Sequence, residues 1–177
     1  MLEQREARVV VGIAESLSGL QALRYAVQEA RRRGLTLRAV RAWQFDVPWR
    51  GSDIDLWRQE SAELAATAVR HAFDLALGGV PPDLAVEFAV AEGDPAAALV
   101  ACAEHEDDVL VIGASHRHGW RSYFGVTRWC VRRASCPVIV VPPPALARER
   151  RQRALVRDLQ REVDRLVDAS LPDATAR

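Results

Sequence analysis

The most constraining feature of this chain is an alternation. Five short apolar runs, at residues 7–13, 35–43, 84–90, 109–112 and 137–141, are separated by stretches whose apolar residues recur at helical spacing. The first run, ARVVVGI, is rich in Val and reads as a buried strand. Ser18 and Gln21 then form a capping box, and Leu20, Leu23, Val27 and Ala30 mark a helix that Gly34 stops. A loop holding Pro48 and Gly51 follows the second strand. A helix over residues 55–77 carries Leu64, Ala65, Ala68, Ala72 and Ala76 on one side and ends in Gly78, Gly79, Pro81 and Pro82. Leu84, Val86, Phe88 and Val90 alternate as a strand should. Asp94 suits a helix N-cap and Pro95 the first helical position, with that helix running to His105. A polar loop, residues 114–122, precedes a helix reaching Arg133, and the last strand is closed by Pro142, Pro143 and Pro144.

The order βαβαβαβαβ calls for parallel strands joined by right-handed crossovers. Near-continuous apolar strands at both ends of the domain favour an open, doubly wound sheet with helices on both faces. Five units are too few for a (β/α)₈ barrel. With strand order 3-2-1-4-5, the ligand crevice lies between the first and fourth strands, at their carboxyl ends. The loops there span residues 14–18 and 114–127.

Composition narrows the function. The 24 basic residues are balanced by 24 acidic ones, so the excess positive charge usual in nonspecific nucleic-acid binders is missing. Every basic residue is Arg, which excludes a Schiff-base lysine and a Walker-type phosphate lysine. No apolar run approaches the roughly 18 residues of a membrane span, and residues 1–8 lack an apolar signal core. A cytoplasmic location is expected. Cys102, Cys130 and Cys136 have no metal-ligand spacing and read as reduced thiols. His116 and His118 form a His-x-His pair without a third ligand, so no metal is expected. His71 and His105 read as surface or boundary residues, and Asp107-Asp108 as a solvated turn. Trp43, Trp49 and Trp57 surround the second loop and suggest its packing over the sheet end, or a lid. No catalytic set can be assembled, and the chain is not expected to be an enzyme.

Several local patterns coincide: VVVGIAES at the end of the first strand, AVRAW at the second, GDPAAALV at the third helix, DDVLVIGASHRHGWRSYFG around the fourth strand, and SCPVIVV at the last. Over residues 7–142 the chain resembles the universal stress protein family. The resemblance implies a Rossmann-like fold of the adenine nucleotide alpha hydrolase kind. It also implies dimers built through the last strand, here Val138, Ile139, Val140 and Val141. Some members bind ATP through a Gly-x2-Gly-x9-Gly-Ser/Thr loop after strand four, where small residues and a helix N-terminus admit phosphate; others lack the loop.

Carried onto this chain, the resemblance points to Ala14, Glu15, Ala42, Gly113, His116, Arg117, Gly119, Gly125 and Thr127 as candidate nucleotide contacts. Gly113 matches the first glycine, but His116 occupies the second position. Only eight residues separate His116 from Gly125, and Val126 replaces the hydroxyl residue. The family's usual Asp after strand one aligns with Ala14, beside Glu15. These departures imply a regulatory stress-response dimer that acts through partner contacts, with ATP binding impaired or absent. One alternative is an ATP-binding sensor that uses the altered loop at 113–127. Another is a nucleotide-hydrolysing or nucleotidyl-transferring enzyme, for which Glu15 is the one acid to nominate.

Residues 145–169 lie outside the resemblance and read as an amphipathic helical extension. Val156, Leu159, Val163 and Leu166 fall at spacings of 3, 4 and 3, an a/d stripe over about two heptads. That is short for a stand-alone coiled coil, so the stripe must pack on the domain, a sister subunit or another protein, with the sister subunit preferred. The basic segment 148–153 is balanced by nearby acids and reads as a solvated face, with no membrane or specific nucleic-acid partner.

Overall fold

In the computed structural model, which describes residues 6–44, 54–114 and 125–170, the strands are β1 (Arg8–Gly12), β2 (Thr36–Trp43), β3 (Val86–Glu92), β4 (Val109–Gly113) and β5 (Val138–Val141). The helices are α1 (Leu17–Arg33), α2 (Ile54–Leu77), α3 (Pro95–Cys102), α4 (Val126–Arg133) and α5 (Ala145–Ser170). The strands form one sheet in the order β3-β2-β1-β4-β5, and every pairing is parallel. This is the expected open, doubly wound architecture. The chain divides into two compact units, one ending at Pro143 and one beginning at Pro144.

Alternation along the strands separates two cores. Val9, Val11, Leu37, Ala39, Val109 and Val111 point to the face covered by α1 and α2. Val10, Val40, Leu110 and Ile112 point to the face covered by α3 and α4. Because β1 and β4 are covered on both sides, neither can alternate polar with apolar residues, which explains their unbroken Val, Leu and Ile content.

The helices depart from the sequence reading in three places. The N-cap of α1 is Ser16, not Ser18: the Ser16 hydroxyl accepts from the Gly19 N–H at 3.1 Å. Ser18 is buried, and its hydroxyl donates instead to the Ala114 carbonyl at 2.9 Å. On α2 the buried face is Ala65, Val69, Ala72, Phe73 and Ala76, while Leu64 is 71% exposed. Of the stripe read from sequence, Ala65, Ala72 and Ala76 lie on the face that Phe73 defines and Leu64 does not. Helix α3 stops at Cys102, short of His105, because Asp108 forms the following turn: its carboxylate accepts from the His105 N–H at 3.2 Å. Asp108 is not solvated. It is fully buried and also accepts from the Arg8 N–H at 2.8 Å. The cap of α3 itself is Asp94, as read, accepting from the Ala96 and Ala97 N–H groups.

Helix α1 is fastened along its length. Gly34 ends it in the left-handed conformation at φ 67°. Arg24 donates to the Ala76 carbonyl of α2, and Arg31 grips both carboxylate oxygens of Asp83 before β3. Glu29, only 4% exposed, is paired with Arg32 and Arg33. Hydrogen bonds from Arg32 and then Arg33 lower the Glu29 pKa below the ordinary carboxylate range. A carboxylate with a depressed folded pKa stabilises the fold above its unfolded pKa, near about 4.3, and that contribution is lost as pH falls through the folded value. Glu29→Gln should therefore be less stable than the parent at pH 7, with the gap closing as pH falls through the lowered Glu29 value. Urea midpoints across that range would show it, and a pH-independent gap would contradict the pairing.

Candidate functional site

The crevice lies where β1 and β4 sit side by side and their following chains leave for opposite faces of the sheet. The chain after β1 turns into α1, whose first turn is held against the end of β4. Ser18 bonds the Ala114 carbonyl, and Ala114 in turn donates to the Val141 carbonyl of β5 at 2.8 Å. Here the backbones touch. A Cβ on Gly113 would stand 2.7 Å from the Gly19 nitrogen and 2.7 Å from the Ser18 carbonyl carbon, and one on Gly19 would collide with the Ala14 carbonyl. Gly113 is thus required by helix–strand packing before any ligand is considered.

Around this floor, Ala14 and Glu15 are exposed at the end of β1. The Glu15 carboxylate is 3.9 Å from Nδ1 of His71 on α2. Ala42, near the end of β2, is half-buried and paired in register with Ala91. Its neighbour Arg41 donates to the Ile13 carbonyl at 3.1 Å, setting a guanidinium beside the β1 end. On the far side, α4 begins at Gly125, which has no side chain to cap the helix. The first turn holds Thr127, whose buried Oγ1 has no hydrogen-bond partner among the described residues. An uncapped helix start and an unsatisfied hydroxyl together favour an anion. The candidates His116, Arg117 and Gly119 lie outside the described residues, as does Trp49. Trp57 stands 60% exposed on α2 instead of packing over the sheet end.

Ser16, Ser18, Gly19 and Arg41 were not among the candidates. The signal for the first three was present as SLSG directly after a strand, small residues where a helix start meets a neighbouring backbone. Arg41 had none, since an Arg in a strand is equally at home on a solvated edge.

Among the described residues, no group of His, Cys, Asp and Glu could hold a metal ion. None of their helices is long and apolar enough to cross a membrane. Cys130 and Cys136 are buried, and burial pushes the Cys130 thiol up to about 11. Such a thiol is a poor nucleophile.

Fold and crevice together define an open α/β protein that can present a ligand to the carboxyl ends of parallel strands. The universal stress protein family model matches residues 7–142, and the chain belongs to that family. A universal stress protein solved in complex with cAMP is similar at 24% identity and a TM-score of 0.52, covering 78% of this chain and 98% of its own. The universal stress protein UspA of Lactobacillus plantarum is similar at 20% identity and a TM-score of 0.59, covering 78% and 99%. At these identities the likeness is one of fold. No curated protein matches the sequence.

Proposed function

We propose that this chain is a regulatory stress-response protein that acts through protein contacts, with binding of ATP weakened or lost. The observation that carries this reading is the Gly113 contact. The feature of the loop that best matches the nucleotide-binding pattern is already accounted for by the packing of β4 on α1. The acid expected after strand one is replaced by Ala14, and His116 puts a side chain where a second glycine would admit phosphate. The contacts would include the free edge of β5. Its Val138, Ile139, Val140 and Val141 carry no charge to discourage pairing with a second copy.

A second reading has its own observation. The uncapped start of α4 with the unpartnered Thr127 hydroxyl offers a place for a phosphate, and a protein of this fold has been solved with cAMP. On this reading the chain is a nucleotide-binding sensor using the altered loop. Hydrolysis would need Glu15 as the acid, and Glu15→Gln would then abolish turnover.

Calorimetry with ATP, AMP and cAMP, beside chromatography of nucleotide released from acid-treated protein, separates the two. No heat at millimolar nucleotide and an empty extract are expected. Stoichiometric binding that Thr127→Val removes would establish the sensor instead.

A further inference from the structure

Helix α5 presents three large apolar side chains to solvent on one seam: Val156 at 62%, Leu159 at 58% and Val163 at 52% exposure. Their spacing places Val at the a positions and Leu at d, the apolar seam by which one helix packs on another. The charges on the same helix are segregated. Residues 145–157 hold five arginines to one glutamate, and residues 158–170 hold four acids to two arginines. A helix standing alone favours the reverse, acids near its start and bases near its end. The pairs Arg161–Asp158 and Arg165–Glu162 neutralise only the acidic half within the helix.

We propose that α5 pairs antiparallel with the α5 of a second copy of this chain, through Val156, Leu159 and Val163. Antiparallel pairing buries the seam, sets each basic half beside the partner's acidic half and opposes the two helix dipoles. Parallel pairing would place like charge against like along the whole length. The centre of the seam falls between Leu159 and Gln160, so Gln160 of each helix meets its own copy. Gln152 and its copy are then held roughly 22 Å apart, at about 1.5 Å per residue.

Oxidative cross-linking of the full chain tests this with two single variants, Gln160→Cys and Gln152→Cys, each compared with the parent chain. Gln160→Cys is expected to give a disulfide-linked dimer in high yield, at least tenfold above Gln152→Cys. Adding Leu159→Gln to the Gln160→Cys chain should return the yield to the parent level. Equal yields at the two positions, preferential linking at Gln152→Cys, or linking unaffected by Leu159→Gln would each overturn the pairing. The readout is a covalent bond between two α5 helices, so it does not depend on whether β5 also pairs.

Discussion

Replacing Gly113 by alanine should destabilise the ligand-free protein by about 3 kcal/mol and lower its Tm by roughly 10 °C. The added Cβ would sit 2.7 Å from backbone atoms of Gly19 and Ser18, and backbone cannot rotate aside as a side chain can. Either α1 lifts from the end of β4, straining the Ser18–Ala114 hydrogen bond, or β4 shifts against β1. Overpacking of this kind typically costs 1–3 kcal/mol, and a rigid neighbour places it at the upper end. A glycine reserved for phosphate would behave differently, with the variant as stable as the parent. Urea unfolding without nucleotide decides: an unchanged midpoint would mean that Gly113 serves the ligand and that the packing argument is wrong.

Asp108→Ala should cost about 2–4 kcal/mol. The carboxylate is fully buried, and its two oxygens accept from backbone N–H groups far apart in sequence, Arg8 at the start of β1 and His105 after α3. Alanine leaves both part-buried donors without this partner, and an unmet donor costs more than a formed bond contributes. Asp108→Asn keeps one acceptor oxygen and should recover part of the loss. If the alanine variant unfolds at the parent's denaturant concentration, water satisfies the two donors and the turn is not what joins β1 to α3.

These two residues also show where sequence reading reached and where it stopped. The five strands were legible because β1 and β4 are covered on both faces, and only apolar residues survive there. The capping of α3 was legible because Asp94-Pro95 states its geometry locally. Asp108 was misread because its role depends on Arg8, a partner no local pattern reveals. Ser18 was misread because two serines compete for one cap, and the choice is made by Ala114, 96 residues on. Gly113 was noticed as a match to a ligand loop, yet the physical demand on it comes from α1. Leu64 was read on the same side as Ala65, Ala72 and Ala76 because a stripe of helix positions has no absolute rotation until a sheet fixes it.

The first turn of α1 is bonded to the end of β4, its middle to α2 through Arg24, and its last turn to Asp83 ahead of β3. The helix is thus a tie rod across four of the five strands. The α1 side of the crevice is one end of that rod. A ligand or mutation that opens it works against a helix that is also anchored at Asp83, at the other end of α1. Opening on that side is therefore coupled to how firmly α1 is held along its length.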